Sequence, residues 1–265
     1  TCAGKQSKDT RYISKIQRIN FFSENEIYIA SLIKSLSDYE NYFGVIEQHC
    51  KIELRKITNK KIVSDCKETL QKTTTALLGQ IKFIRNRNIY EIFTSLNSQN
   101  LIATLINTFL LTLVSLKKLE EAKIIHFDIK PGNVLFDLDK NVPIIIDFGI
   151  SINKAKLNKS NYKKHFYIYY PKYSIWCLDI HVICYLLHIN KSPKLLDLVH
   201  IVDEYVDNNN VFTMFSEHFT NQYKKLCVRK LRKYIGTNHE MVINELLKYS
   251  FTWDAYSFAT IYLKI

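Results

Sequence analysis

Apolar residues recur along this chain mostly with the spacing of a helix, and only a few segments have the apolar character of a buried strand. Residues 24–33 carry isoleucine and leucine at helical spacing, and Ser23 is a suitable N-cap. Residues 142–146 and 134–136 predict two short strands, which residues 137–141 join as a turn. Further helices are predicted at residues 88–96, 101–122, 176–189, 194–207, 211–234, 240–249 and 253–263.

Polar residues that can serve phosphoryl transfer lie next to the predicted strand at residues 142–146. Asp128, Lys130 and Asn133 precede this strand, and Asp147 follows it directly, fourteen residues after Asn133. Two carboxylates and an amide are therefore expected at one edge of a small sheet. The Mg²⁺ of a nucleotide and a substrate hydroxyl require such an arrangement. The alternative is a chance occurrence of these residues in another α/β protein.

Residues 126–149 as a whole resemble the catalytic segment of the eukaryotic-type serine/threonine protein kinase superfamily, because DxKxxN and DFG follow each other at that family's spacing. The resemblance implies that Asp128 is the catalytic base and that Lys130 contacts the transferred phosphoryl group. It also implies that Asn133 and Asp147 bind the Mg²⁺ ions that accompany ATP. Small-molecule kinases related to this fold rank second, since they generally lack the lysine and the Phe-Gly.

The resemblance extends to the region upstream of this segment. Residues 11–16 resemble the strand that carries the family's ATP-contacting lysine, so Lys15 is the candidate for that role. In the family, the next helix supplies a glutamate that pairs with this lysine. Glu26 fits better than Glu24, because Glu26 shares a helical face with Ile29 and its apolar neighbours. The alternative is that Lys15 and Glu26 are ordinary surface charges.

The fold that the resemblance implies is α+β and two-lobed, with ATP and Mg²⁺ as cofactors. A small β-rich lobe is expected over residues 1–84, with residues 75–84 as its last strand, and a mainly helical lobe over residues 85–265. The family's glycine-rich loop precedes the ATP-contacting lysine by roughly fifteen to twenty residues, whereas only fourteen residues precede Lys15. We therefore expect the fold to be incomplete at its N-terminal end. Either the chain is a piece of a longer one or the protein lacks this loop.

Some positions depart from the family's pattern. Phe127 stands where the family has an arginine before the catalytic aspartate, and Lys172 replaces the glutamate of the Ala-Pro-Glu motif. Two aspartates compete for the start of the buried helix that follows. Asp179 comes at the ordinary distance from Asp147, whereas Asp254 matches the family's local pattern better but comes late. The sequence favours Asp179, because Asp254 would require a long insertion.

Composition agrees with a single intracellular globular unit, since 47% of the residues are hydrophobic and no clear transmembrane segment is expected. Six cysteines without CxxC spacing predict reduced thiols and therefore a cytoplasmic setting. The net charge of +12 raises the question of nucleic-acid binding. Residues 224–233 form the densest basic stretch, but they predict a solvated amphipathic helix, because no aromatic residues interleave it and no nucleic-acid-binding motif accompanies it.

The combined motifs and the richness in Lys, Asn, Ile and Tyr resemble protein kinases of large DNA viruses. That resemblance implies a setting in the host cell cytoplasm or the virion. The predicted function is ATP-dependent phosphorylation of serine or threonine hydroxyls on a protein substrate. The alternatives are a pseudokinase or scaffold, which would bind partners through the helical lobe, and a small-molecule kinase.

Overall fold

The computed structural model describes residues 11–56, 73–95 and 98–264, and it confirms the α+β class. The strands are β1 (Tyr12–Gln17), β2 (Phe43–Gly44), β3 (Ile46–Glu53), β4 (Thr75–Lys82), β5 (Asn86–Asn88), β6 (Ile124–Ile125), β7 (Val134–Asp137), β8 (Val142–Ile146) and β9 (Ile152–Asn153). The helices are α1 (Phe21–Ile33), α2 (Ile89–Ser95), α3 (Ser98–Glu121), α4 (Tyr162–His165), α5 (Leu178–His188), α6 (Leu195–Asp207), α7 (Glu217–Leu231), α8 (His239–Leu247) and α9 (Trp253–Tyr262).

The chain divides into two compact units, each of which is made from two stretches of the sequence. The first unit comprises Thr1–Ala122 and Pro131–Ser151, and the second comprises Lys123–Lys130 and Ile152–Ile265. The predicted lobes, residues 1–84 and 85–265, have a single boundary in the chain, and that division stays a prediction.

Two sheets form the framework of the first unit. One has the order β1-β4-β3 and is antiparallel throughout. The other has the order β2-β8-β7-β5, in which β2 runs parallel to β8 and the other pairs are antiparallel. The predicted pair of short strands joined by a turn is confirmed, because β7 and β8 form a hairpin with Val134 opposite Ile145 and Asp137 opposite Val142.

Helix α1 begins earlier than predicted, because Asn20 rather than Ser23 is its N-cap. The Asn20 Oδ1 atom accepts a hydrogen bond from the Ser23 backbone N–H at 3.0 Å, and the Ser23 hydroxyl accepts one from the Asn20 N–H at 3.0 Å. This capping box satisfies two of the N–H groups that a helix start leaves free. Glu26, Ile29 and Ile33 then share the buried face of the helix, as the spacing predicts.

The second unit is mainly helical, and its short β6–β9 pair is antiparallel. The helices predicted for it from the periodicity are present with shifted ends, except that residues 211–234 are divided. A 3-10 turn at Phe212–Met214 precedes α7, and the Ser216 hydroxyl caps α7 by accepting from the Phe219 N–H at 3.2 Å. Large aromatic side chains fill the core of this unit, namely Phe127, Phe166, Trp176, Tyr205, Trp253 and Phe258.

One helix among the described residues is long and apolar enough to span a membrane, namely Asn100–Glu121 within α3. Length and composition alone do not identify a membrane span, since a core helix passes the same test. In this structure only 17% of that window is buried. A single helix of this kind is weak evidence for a membrane span, so the expectation of no clear transmembrane segment is compatible with the residues that the structure describes.

The cysteines only partly follow the expectation of reduced thiols. Cys177, Cys184 and Cys227 are free, but Cys50 is disulfide-bonded. Cys2 and Cys66 lie outside the described residues. The prediction is wrong for Cys50, because disulfide formation depends on how closely two Cβ atoms approach in the fold, which the absence of CxxC spacing does not report.

We expect the second unit to lose stability on acidification because of His181 in α5. The His181 side chain is buried, with its ring 6.1 Å from that of Trp176 and 5.7 Å from that of Tyr205, and burial lowers its pKa to about 4. In the unfolded chain the pKa is about 6.5. The contribution of neutral His181 to the free energy of unfolding is therefore complete above pH 6.5 and is lost as the pH falls towards 4. The loss amounts to about 2 kcal/mol by pH 5.

Urea unfolding of the wild type and of His181→Phe near pH 7 and near pH 5 measures this contribution. The phenylalanine variant should lose about 2 kcal/mol less stability between these two pH values. His218→Phe is the matched control, because His218 is exposed on α7 and should leave the pH dependence unchanged. An equal loss for wild type and His181→Phe would contradict the prediction.

Candidate active site

An ion-pair cluster in the first unit joins three of the predicted site residues. The Lys15 Nζ atom lies 2.8 Å from Glu26 Oε1, 3.0 Å from Glu26 Oε2 and 3.1 Å from Asp147 Oδ1. Glu26 is buried, with 6% of its side chain exposed, whereas 34% of the Lys15 side chain and 45% of the Asp147 side chain are exposed. The ammonium group is thus fixed by a buried carboxylate on one side and meets an accessible carboxylate on the other.

The charge of Lys15 is stabilised by this arrangement. Burial by itself would lower the pKa of the ammonium group, but the carboxylates of Glu26 and Asp147 more than offset that effect and raise the pKa above its usual value. Lys15 is therefore a permanent cation at neutral pH. A cation held in this way can bind the phosphate oxygens of a nucleotide.

Local structure explains why Lys15 and Glu26 meet. Lys15 lies in β1 opposite Gly79 of β4, and Glu26 lies on the buried face of α1. Gln17 is two residues after Lys15, so both side chains point to the same face of the strand. The Gln17 amide donates to Glu26 Oε2 at 3.0 Å and so helps to fix the carboxylate. Residues 18–20 alone connect β1 to α1, in agreement with the short sequence spacing between Lys15 and Glu26.

Asp147 leaves the end of β8 with an unusual backbone conformation. Its φ of 66° lies in the left-handed region, which residues other than glycine adopt mainly at turns and functional sites. The next residue, Phe148, is buried and packs edge-on against Phe43 of β2, with ring centroids 5.9 Å apart. The Asn25 side chain of α1 donates to the carbonyls of Gly149 at 3.0 Å and of Ser151 at 2.8 Å. These contacts fasten the segment after Asp147 to α1.

Asn133 and Asp147 lie at the same end of the β7–β8 hairpin. Val134 pairs with Ile145, so Asn133, one residue before, comes next to the end of β8 that leads into Asp147. Asn133 is buried, and its amide oxygen and the Asp147 carboxylate are the hard oxygen donors that Mg²⁺ prefers. No group of three or more His, Cys, Asp or Glu side chains among the described residues is arranged to hold a metal ion. Nucleotide-bound Mg²⁺ does not require one, because phosphates and waters supply most of its ligands.

A second cluster lies in the other unit, around Asp128. The Lys130 Nζ atom donates to Asp128 Oδ2 at 2.8 Å, and the Tyr173 hydroxyl donates to Asp128 Oδ1. Both carboxylate oxygens therefore have a partner, and only 9% of the Asp128 side chain is exposed. The Asp128 backbone N–H also donates to His126 Nδ1 at 3.2 Å, which closes a tight turn.

Asp254 anchors the loop that carries Asp128. Its two carboxylate oxygens accept hydrogen bonds from the backbone N–H groups of His126, at 2.6 Å, and Phe127, at 2.8 Å. Burial raises the pKa of the Asp254 carboxyl, although the two N–H donors act in the opposite direction. Asp179, which the sequence favours for the start of the buried helix after Asp147, lies in the first turn of α5, but the carboxylate that holds this loop is that of Asp254. Asp179 instead accepts a long hydrogen bond of 3.4 Å from the Trp253 Nε1 atom.

Phe127, which stands where the family has an arginine, is part of the aromatic core of the second unit. Its ring lies 4.9 Å from that of Trp176, 5.5 Å from that of Phe166 and 6.4 Å from that of Trp253. Its backbone φ is 69°, and its carbonyl accepts a hydrogen bond from the Trp176 indole at 3.0 Å. The loop is thus held in a strained conformation by packing rather than by a charged side chain.

The structure brings the six predicted site residues together in two groups. Lys15, Glu26 and Asp147 are joined by direct contacts, with Asn133 at the same end of the hairpin, and Asp128 is paired with Lys130.

Sequence reasoning missed three residues that hold these groups, namely Gln17, Asn25 and Tyr173. The two-residue spacing from Lys15 could have indicated Gln17. Asn25 and Tyr173 leave no such signal, because their partners are distant in the chain.

Comparisons with known proteins do not assign the chain. A scan against models of protein families gives no match, and a search of curated proteins gives no match either. The resemblance drawn from residues 126–149 therefore rests on those residues themselves.

Proposed function

We propose that this chain is the catalytic core of an ATP- and Mg²⁺-dependent serine/threonine protein kinase with a two-lobed kinase fold. The observation that supports this most is the cluster in which the Lys15 ammonium group contacts both Glu26 and Asp147. A lysine fixed by a buried glutamate and directed at a metal-binding aspartate is what a kinase needs to orient the phosphates of ATP. The presence of Asp128, Lys130 and Asn133 in the sequence segment before Asp147 supports the same function.

The first cluster would bind the nucleotide. Lys15 would contact phosphate oxygens of ATP, with Glu26 and Gln17 keeping the ammonium group in place. Asn133 and Asp147 would hold Mg²⁺, which neutralises the charge of the phosphates when it is bound. Asp147 is sufficiently exposed to accept such a ligand, and its Oδ1 atom already faces a cation.

The second cluster would handle the acceptor hydroxyl. Asp128 would accept the proton of a serine or threonine hydroxyl as that oxygen bonds to the γ-phosphorus and the bond from this phosphorus to the leaving ADP oxygen breaks. Lys130 would offset negative charge on the transferred group, and its contact with Asp128 Oδ2 keeps its ammonium group beside the base. Catalysis in this scheme consists mainly of positioning and electrostatic stabilisation.

We expect Mg-ATP to raise the melting temperature of the full-length protein. A ligand that binds only the folded state stabilises it by about 2.7 kcal/mol at a concentration 100-fold above its Kd. For a chain of this size the corresponding rise is about 5–10 °C. Thermal-shift measurements with ATP, with Mg²⁺ and with both should show the full effect only for the combination. Radiolabel from γ-labelled ATP should appear on a protein acceptor or on the protein itself.

Asp147→Asn provides the test variant, because it removes the carboxylate charge while leaving the Lys15–Glu26 pair intact. It should lose most of the shift. Asp139→Asn is the matched control in the same hairpin, since Asp139 is exposed and pairs only with Arg85 at 2.9 Å among the ion pairs described. Absence of both shift and label in the wild type would favour a scaffold. A shift with label on a small molecule alone would favour a small-molecule kinase.

A further inference from the structure

Tyr173 covers the carboxylate that the proposed reaction uses as its base. Its hydroxyl donates a hydrogen bond to Asp128 Oδ1, while Lys130 donates to Oδ2. A carboxylate that is to accept a proton from a substrate hydroxyl must first accept a hydrogen bond from it. Lys130 and Tyr173 each contact one carboxylate oxygen, and only 9% of the Asp128 side chain is exposed, so little of the carboxylate is open to an acceptor hydroxyl while Tyr173 stays in place.

The position of Tyr173 is built into the loop that bears the base. The Trp176 backbone N–H donates to the Tyr173 carbonyl at 3.1 Å, and the Trp176 indole donates to the Phe127 carbonyl at 3.0 Å. The rings of Tyr173 and Trp176 also pack edge-on at 5.0 Å. Because Phe127 directly precedes Asp128, these contacts tie Tyr173 to the same turn as the carboxylate that it covers. All of these residues belong to the second unit.

We propose that the Tyr173 hydroxyl is an internal competitor for the acceptor-hydroxyl site on Asp128, an inference that rests on the proposed kinase function. A carboxylate oxygen can accept two hydrogen bonds, but with Tyr173 in place only 9% of the Asp128 side chain is exposed, so a serine or threonine O–H competes with the tyrosine O–H for access to it. The apparent affinity for the acceptor is then the intrinsic affinity multiplied by the fraction of molecules in which Asp128 is uncovered. Tyr173 thereby selects for protein acceptors that bind well enough through other contacts to displace it.

Tyr173→Phe tests this role, because it removes the hydroxyl and keeps the ring that packs on Trp176. In steady-state assays of the full-length protein with dephosphorylated casein, KM for casein should fall about tenfold, which is equivalent to about 1.4 kcal/mol. The value of kcat should stay within about twofold, and KM for ATP should not change. Tyr170→Phe is the matched control, since Tyr170 is exposed in the same segment, and its KM for casein should equal that of the wild type. An unchanged or higher KM for casein in Tyr173→Phe, or a large loss of kcat, would overturn the proposal.

A second measurement does not depend on activity. With tyrosines labelled with ¹³C at Cζ, the Tyr173 resonance is the one that Tyr173→Phe removes. Asp128→Asn should shift this resonance and leave that of Tyr170 unchanged. If Asp128→Asn shifts the Tyr173 resonance but the wild type transfers no phosphoryl group, the contact exists, and both the kinase function and the competitor role are overturned. If Asp128→Asn leaves the resonance unshifted and the wild type is active, the competitor role alone is overturned.

Discussion

Replacing Asp128 with asparagine is expected to lower the rate of phosphoryl transfer by about 10²–10⁴-fold, the usual contribution of a positioned general base. The amide is nearly the same size and can still accept a hydrogen bond from Tyr173, so the shape of the loop should be kept. It cannot take up the proton of the acceptor hydroxyl, and it no longer carries the charge that pairs with Lys130 at 2.8 Å. Single-turnover kinetics with saturating Mg-ATP measure the loss directly.

The same variant should keep its nucleotide binding. Lys15, Glu26 and Asp147 make their contacts within the first unit, so the thermal shift with Mg-ATP should equal that of the wild type. Asp203→Asn is a suitable control, because Asp203 is a half-exposed carboxylate of the second unit that also pairs with a lysine, Lys224, at 3.0 Å. A transfer rate within twofold of the wild type for Asp128→Asn would refute the assignment of the base.

Asp254→Ala should cause the second large effect, a loss of about 2–6 kcal/mol in the free energy of unfolding. The substitution leaves the buried N–H groups of His126 and Phe127 without their acceptor, and each such group costs about 1–3 kcal/mol. The loss should lie in the lower part of this range, because burial raises the pKa of Asp254 and removing the carboxylate also removes the cost of burying its charge. Urea unfolding followed by tryptophan fluorescence reports the change, since Trp253 is the adjacent residue.

Asp179→Ala is the matched control for this substitution. Asp179 is a partly buried aspartate of the same unit whose side chain accepts from Trp253 Nε1 at the longer distance of 3.4 Å. Its removal should cost less than about 1.5 kcal/mol, the upper end for an ordinary hydrogen bond. If the Asp179 variant proved less stable than the Asp254 variant, the anchoring role would belong to Asp179 after all.

The sequence predicts the local parts of this structure well. The turn at residues 137–141 separates two apolar runs, and the structure has the β7–β8 hairpin there with Asp147 at its end. The apolar spacing of residues 24–33 indicates which side of α1 is buried, and Glu26 on that side reaches Lys15. These predictions depend on the periods of 2 and 3.6 residues, which the backbone geometry of strands and helices imposes.

Long-range contacts were predicted less well, and Asp254 shows why. The sequence favours Asp179, because it comes at the ordinary distance from Asp147 along the chain. The free energy of closing a longer loop rises only by about 0.6 kcal/mol for each doubling of its length, so chain distance constrains spatial contact weakly. The local pattern around Asp254 was the better guide, since a carboxylate at the start of a buried helix can accept from two N–H groups. The contact of Tyr173 with Asp128 had no local pattern at all.

The hydrogen bond that the His126 backbone N–H donates to Asp254 joins residues 128 positions apart, so it cannot form in the newly synthesised protein until Asp254 has been added. At about 5–20 residues per second, a ribosome needs about 6–26 seconds to add that stretch. Until then the turn around Asp128 lacks the carboxylate that fixes its backbone, and a contact of such high sequence separation forms late in folding. An incomplete polypeptide still attached to the ribosome would hold the residues proposed to contact ATP, but the turn around the proposed base would not be fixed. Under the proposed kinase function, such a chain would not phosphorylate its surroundings before its synthesis had passed residue 254.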